Sequence, residues 1–260
     1  MRFIFPCDYF DKKKPDEMYQ AQYEALKAIG ADVSTIDLDD LENSKIVPTP
    51  KVGEIVVYRG WMLNADKYAI LDKKIQSSQA EPFTNINTYL FAHHLPNWYP
   101  LIKAFTSETV LLSKMDDLEY ELNNLGWDGF FVKDYVKSLK TSIGSVVRQP
   151  KEIDSVVAEM EKFKGEIEGG LCIRRVEEYS PDTEKRYFVI LGHPFAAGSD
   201  ETIPNLVKEC ANIIASKFFS VDIITRTDGV QRIVEIGDGQ VSDIVGWTPT
   251  RFAEIWQGFI

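Results

Sequence analysis

The chain is poor in the features that settle a function at sight. Only three of its 260 residues are cysteine, Cys7, Cys172 and Cys210. They are widely spaced and odd in number, which argues against a disulfide framework or a cysteine zinc site. No apolar run approaches the roughly 18 residues of a membrane-spanning helix. The opening segment MRFIFPCDYFDKKK lacks the basic start, long apolar stretch and small-residue cleavage site of a secretory signal, so the expectation is a protein of the reducing cytoplasm with no membrane partner. Positive charge is scarce. Lys and Arg number 29 against 40 Asp and Glu, a net −11; that disfavours nucleic acid as a partner, because such binding rests on cations that neutralise phosphates. There is no G-x-x-x-x-G-K-[ST] phosphate loop, no nucleophile elbow and no zinc-ligand spacing. His93 and His94 are neighbours that do not share a helix face, and His193 reads as a turn residue.

What is there is ordinary globular material, 44% hydrophobic and 27% charged. The first part alternates strand and helix. RFIFP is an apolar strand, and Met18, Tyr19, Tyr23, Leu26 and Ile29 form a helical stripe closed by Gly30. DVSTIDL and EIVVYRGWM are further strands; Asn64–Gln76 and Asn85–Phe105 are helices, the second broken at Pro96. Later segments change character. DGFFVKDYV is a strand ending in charge, and PKEIDSVVAEMEKFKG is a helix with Pro150 at its start and Gly165 at its end. GLCIRRVEEY is a strand, and KRYFVILGHPFAAG is a hairpin turning at Gly192-His193. This order suits α+β lobes with antiparallel sheets rather than a doubly wound parallel sheet. The expected partition is an α/β unit over residues 1–105 and a second domain over 106–260, its lobes dividing at about 170.

The sharpest local signal is Asp228-Gly229 between runs rich in Ile and Val. Asp-Gly suits a two-residue type I′ turn, because both positions need positive φ. With those two residues as the loop, Ile224 faces Ile233 and Asp222 faces Glu235. Carboxylates directly opposite would have Cβ atoms about 4.5–5.5 Å apart, destabilising unless offset. Three offsets are open: a divalent cation, with Asp238 as a third acid nearby; neutralisation by Arg226 or Arg232; or protonation of one acid. A three-residue loop would shift the register by one and take the two acids out of direct opposition. Lys133, Lys137, Lys140 and Arg148 form a basic group with only Asp134 opposing it, either a solvated face or a phosphate-binding pocket.

V-D-I-I-T-R-T-D-G-V-Q-R-I-V-E-I-G-D-G-Q resembles the ATP-grasp superfamily, whose pattern is a strand with Asp, a Gly-containing turn, and a strand with Glu and usually Asn two residues on. The resemblance implies Asp222 and Glu235 as Mg²⁺ ligands; the Asn position is Gly237, so Asp238 or Gln240 would take that task. FFVKDYVKS places Lys133 as the phosphate lysine. GLCIRRVEEY matches the hinge strand, with Arg174 and the Val176 backbone at the nucleotide and Glu178 at the ribose. Because Arg174 and Arg175 are adjacent, at most one points into the cleft. Arg186 in EKRYFV sits where many members hold an arginine for phosphate or acyl-phosphate. YRGWML, FFVKDYVKSLK, IRRVEEY and VEIGDGQ together are similar to the branch named for an arginine and two lysines, here Arg59, Lys133 and Lys137, with Lys140 competing for the last. That branch is described as peptide ligases of bacteria and phages. The implied fold is two α+β lobes gripping ATP, preceded by a small α/β domain. The implied activity is ATP- and Mg²⁺-dependent carboxylate–amine ligation through an acyl-phosphate, with Arg59 clamping a substrate carboxylate, acting on a small-molecule, peptide or protein substrate. The alternative is a nucleotide-binding assembly factor without ligase turnover, and a third, weaker reading is a phosphotransferase.

Overall fold

The computed structural model describes residues 1–136, 144–165 and 167–260. In chain order the elements are β1 (Arg2–Pro6), α1 (Gln20–Ala28), β2 (Asp32–Ile36), β3 (Ile55–Tyr58), α2 (Ala65–Ser77), β4 (Glu81–Pro82), α3 (Ile86–His93), α4 (Leu95–Ile102), β5 (Thr109–Leu112), α5 (Leu118–Leu125), β6 (Phe130–Asp134), β7 (Val146–Val147), α6 (Ile153–Lys164), β8 (Leu171–Arg175), β9 (Lys185–Ile190), β10 (His193–Phe195), α7 (Asn205–Ile213), β11 (Phe218–Thr225), β12 (Gln231–Asp238) and α8 (Pro249–Glu254). Their ends follow local chemistry. Asn64 caps α2 by accepting from the Lys67 N–H, and Asp117 caps α5 by accepting from Tyr120. Gly126 closes α5 in the left-handed region at φ 63°. The break between α3 and α4 falls at His94, in extended conformation, with Pro96 in the first turn of α4 where its missing N–H is harmless.

The chain divides into two compact units: Met1–Ala92 with Lys185–Val221 and Gly237–Ile260, and His93–Glu184 with Asp222–Ile236. These bounds depart from the partition at 105/106 and from lobes dividing near 170. The cause is visible in the first unit's core. Its sheet, ordered β2-β1-β3-β4, is parallel, and a parallel sheet needs cover on both faces. Ile4, Val56 and Tyr58 pack with Leu71, Ile75 and Tyr89 on one side. Phe3, Phe5 and Val57 pack on the other with Leu26 and with Phe188, Phe218, Phe252 and Trp256 from far along the chain. Residues 185–221 and 237–260 therefore complete the core of the first unit.

The β9–β10 hairpin pairs His193 with Ile190. Its two loop residues are thus Leu191 and Gly192, at φ 48° and 80°, and not Gly192-His193. Both lie in the positive-φ region that a type I′ turn demands. β11 and β12 belong to the antiparallel sheet β10-β9-β11-β12; each strand has residues in both units.

The second unit is built on the antiparallel sheet β5-β8-β6-β7. Side chains alternate across its faces. Phe130, Val132, Leu171 and Ile173 pack against Leu118, Leu122, Ile153, Val156 and Met160 of α5 and α6. Phe131, Lys133, Cys172 and Arg174 take the opposite face, with Phe131 paired to Arg174 and Lys133 to Cys172. No helix among the described residues is long and apolar enough to cross a membrane.

Candidate functional site

The second unit carries a cavity of about 220 Å³ on the sheet face that its helices leave uncovered. Phe131, Val146, Arg174, Val176, Tyr179 and Val234 line it, with Ser107 and Glu177. A mostly apolar slot with a few fixed polar groups suits a flat heterocyclic ring. Arg174 is its most constrained member. The guanidinium is buried; Nη1 donates to the Val234 carbonyl at 2.7 Å and Nη2 to Thr106 Oγ1 at 2.6 Å. Thr106 Oγ1 in turn donates to the Ile233 carbonyl at 2.7 Å. Arg174 and Thr106 together fix the β12 backbone immediately before Glu235. Nε of Arg174 has no hydrogen-bond partner among the described residues, and burial lowers the guanidinium pKa against the opposing pull of Tyr179 and Glu235. Arg175, the next residue of β8, is exposed and also borders the cavity, with its Nη1 3.8 Å from Glu108 Oε2.

Lys133 is also buried. Its Nζ donates to Glu235 Oε1 at 3.1 Å and to the Val136 carbonyl at 3.0 Å. Asp134 turns the chain at the end of β6 by accepting from the Val136 N–H at 2.8 Å, which presents that carbonyl to the lysine. The Glu235 side chain is 40% exposed, so the pair has a buried cation and an open carboxylate.

The ribbon that carries Asp222 and Glu235 does not have the two-residue turn. Arg226 N donates to the Val230 carbonyl at 2.8 Å and Gly229 N to the Arg226 carbonyl at 2.9 Å. The loop is the three residues Thr227, Asp228 and Gly229, and only Gly229 has positive φ, 86°. This is the other common hairpin solution, a type I turn ending in a left-handed glycine. Counted outward from Arg226–Val230 the register is shifted by one, but at the far end Gly239 N donates to the Phe218 carbonyl at 3.1 Å, the register in which Asp222 meets Glu235; β12 therefore takes up one extra residue along its length. Adjacent strand residues normally face opposite ways. Here Val234 lines the cavity while Glu235 meets Lys133, on the same sheet face as Phe131. β12 departs from the regular pleat at that point, and it also buries Ile233 and Ile236, three residues apart. Asp222 is buried, at 5% exposure.

The arginines that could have neutralised these acids are engaged elsewhere. Arg232 reaches Glu177 with Nε and Nη2, both at 3.1 Å, and Arg226 reaches it with Nη1 at 3.3 Å. Burial disfavours charge on Glu177, yet Arg232, Ser107 and Tyr179 bonded to its oxygens hold its carboxyl below the usual range. Glu177 was not singled out from the sequence; its signal was the two arginines flanking the Asp-Gly turn, which lacked an assigned partner. Glu178, the expected ribose acid, is exposed, and its carbonyl accepts from the Thr227 N–H. Val176 lines the cavity, but it lies past the end of β8 and its N–H is taken by the Gly129 carbonyl at 3.0 Å. Of its backbone groups only the carbonyl is then left to present, beside the side chain. Lys137 and Lys140 lie outside the described residues.

Three expected site residues belong to the first unit. Arg59 is not a free clamp. It is 1% exposed, with Nε donating to Gln22 Oε1 at 2.8 Å, Nη1 donating to the carbonyls of Gly239 and Gln240, both at 3.0 Å, and its plane 4.7 Å from the Phe252 ring. Burial brings its pKa down to about 10. Asp238 is fully buried, and its Oδ1 accepts from the N–H and side-chain amide of Gln240 while Oδ2 has no partner. Burial raises its pKa to about 8. A buried acid without a base is a poor cation ligand, and no group of three His, Cys, Asp or Glu residues is placed to hold a metal among the described residues. Arg186 is half-buried, with Nη1 donating to the Asp243 carbonyl at 2.8 Å.

Asp238 gives a prediction. Its folded pKa lies above the ordinary carboxyl value near 3.8, so the folded state holds the proton more tightly than the unfolded chain. The raised pKa thus costs stability progressively as pH climbs from about 4 to about 8. Asp238→Asn is expected to raise the melting temperature at pH 8 and leave it almost unchanged at pH 4, as measured by circular dichroism.

Two carboxylates, Asp222 and Glu235, fit what Mg²⁺ takes from a protein when phosphates and water complete its shell. Comparisons agree with this reading of the fold. No curated protein sequence matches the chain. D-cycloserine synthetase DcsG superposes with a TM-score of 0.65 at 14% identity, covering 99% of each chain. The ATP-grasp ligase PsnB, solved with a phosphomimetic variant of its minimal precursor, Mg and ADP, gives 0.59 at 12% identity, covering 98% of this chain and 96% of that one. Macrocyclase MdnC from Microcystis aeruginosa MRC, bound to precursor peptide MdnA, gives 0.61 at 13%, covering 98% and 99%. At such identities the likeness establishes the fold. Residues 124–257, just over half of the chain, match the model of the ATP-grasp domain, R2K clade family 3, and to that family the chain belongs.

Proposed function

We propose that this protein is a cytoplasmic ATP- and Mg²⁺-dependent carboxylate–amine ligase that works through an acyl-phosphate on a peptide-type substrate. The observation that carries the proposal is the Lys133–Glu235 pair beside the ring-sized cavity, on a β12 backbone fixed by Arg174 and Thr106. The adenine ring occupies the slot of Phe131, Val146, Val176 and Val234, and Glu178 is the acid available to the ribose. Lys133 releases Glu235 and turns its ammonium to the phosphates. Asp222 and Glu235 would hold Mg²⁺, which when bound would supply neutralisation of the triphosphate charge. Arg186 and Lys137 are assigned to the transferring phosphoryl group. Arg59 is reassigned from carboxylate clamp to positioning residue, because it is enclosed and its Nη1 holds the carbonyls of Gly239 and Gln240, although Nη2 has no partner among the described residues. Asp238 is withdrawn as a metal ligand.

The chemistry balances as follows. A substrate carboxylate oxygen attacks the γ-phosphorus, the bond to the β-phosphate oxygen breaks, and ADP leaves. A neutral amine then attacks the acyl carbon, the carbon–oxygen bond to phosphate breaks, and inorganic phosphate and the amine's proton depart, leaving an amide. Such transfer needs positioning and charge neutralisation more than covalent help. The peptide-type substrate is supported by PsnB and MdnC, both solved with precursor peptides.

The test is release of ADP and phosphate in equal amounts with amide product, over a panel of amino acids and peptides. Tight ATP binding without stimulated turnover would instead establish a nucleotide-dependent binding factor, a reading favoured by Gly237 where the family usually has Asn. Lys133→Ala removes one charge-assisted bond and is expected to weaken ATP binding about 10- to 100-fold by calorimetry. Unaltered affinity would remove the lysine from the phosphates.

A further inference from the structure

The first unit has a separate pocket that the nucleotide reading does not use, with a cavity volume of about 260 Å³. Its wall is formed by Tyr19 and Gln22 near the start of α1, Trp61 just past β3, and Asp243 and Val245 between β12 and α8. We propose that it binds the apolar, ammonium-bearing residue of the amine substrate. The role as acceptor site rests on the ligase reading; the binding itself does not.

Three observations select this ligand. The rim is apolar and uncovered: Trp61 is 43% exposed, Val245 66% and Met18 70%, more unpartnered apolar surface than scattered surface residues explain. Trp61 forms a T-shaped pair with Tyr19, ring centroids 5.2 Å apart, and its exposed indole surface is open to a ligand ring, aliphatic chain or cation. Asp243 is the one charged residue of the lining. It is exposed and forms no ion pair among the described residues; Arg186 bonds its carbonyl, not its carboxylate. An open carboxylate beside an indole face is matched by an ammonium on an apolar body.

A carboxylate ligand is disfavoured by the same geometry. Arg59, whose Nε bonds Gln22 and whose Nη2 has no partner among the described residues, is not part of the lining. An anion in the pocket would meet Asp243 and no cation of the lining. Gln22 is held through Oε1, so the end it can turn to a ligand is its amide N–H₂, a hydrogen-bond donor suited to the carbonyl next to an α-ammonium.

The experiment titrates phenylalanine amide, N-acetylphenylalanine amide, glycine amide and the dipeptide Phe-Ala amide into the full chain, without and with ATP and Mg²⁺, following the indole resonances by NMR. Phenylalanine amide is expected to bind, with the acetylated and glycine forms weaker by about tenfold or more. Trp61→Ala and Asp243→Asn should each weaken it by about tenfold, whereas Trp61→Phe should retain it, and ATP affinity should be unchanged in all three. The dipeptide arm separates a free amino acid from a chain terminus as the natural source. No binding of either amine in any condition, or equal binding by Asp243→Asn, overturns the proposal. Binding that holds while the panel of amino acids and peptides yields no ADP, phosphate or amide upholds the pocket and defeats the ligase reading instead.

Discussion

Replacing Glu235 with Gln is expected to lower ATP turnover on the order of a thousandfold while leaving the fold and the base cavity intact. The substitution keeps the size of the side chain and an oxygen able to accept from Lys133, now 3.1 Å from the carboxylate. What it removes is one unit of negative charge at the position proposed to hold Mg²⁺ beside a triphosphate. Stopped ADP release, measured beside calorimetric ATP binding and circular dichroism, separates the outcomes. Normal turnover would remove Glu235 from the metal. Loss of turnover with loss of structure would leave only a structural part for the Lys133–Glu235 pair. A requirement for higher Mg²⁺, with ATP binding partly preserved, is the result the geometry leads one to expect.

The second large effect concerns stability. Trp256→Ala is expected to destabilise the protein by about 3–5 kcal/mol, read as a fall in the urea midpoint. Trp256 is fully buried, edge-on to Phe3 at 5.0 Å, Phe218 at 4.8 Å and Phe83 at 5.7 Å. Its indole N–H has no partner, so the loss is one of packing and not of a hydrogen bond. Trp256→Phe should recover most of the difference. A midpoint unmoved by the alanine would mean that the aromatic cluster closes over the gap.

How much of this was legible in the sequence depended on the range of the interactions involved. Local signals were reliable. Gly165 ended its helix, Asn64 began one, and the alternating segments became strands where expected. The family pattern found Lys133 and Glu235, which the fold brings together across 102 positions. Failures arose where two solutions share one signature. Asp-Gly serves both the two-residue turn and the three-residue loop, which differ by one position in register, and the chain recovers that position farther along β12, where Gly239 N meets the Phe218 carbonyl. Burial was the other blind spot. Arg59 and Asp238 are polar, and from sequence a polar residue in a site-like motif reads as available; their enclosure depends on Gln22, Gln240 and Phe252, far away in the chain. Glu177 was overlooked for the same reason, since its arginines are about fifty residues downstream.

The aromatic cluster has a consequence for biosynthesis. Phe3 and Phe5 are synthesised about 180 residues or more before the rings that cover them, Phe188, Phe218, Phe252 and Trp256. The parallel strands must wait, uncovered, until those rings follow, a topology that slows folding and invites aggregation. Nascent chains arrested near residue 215 should therefore recruit holdase chaperones through their first strands, and release that hold once residues 249–256 have cleared the exit tunnel.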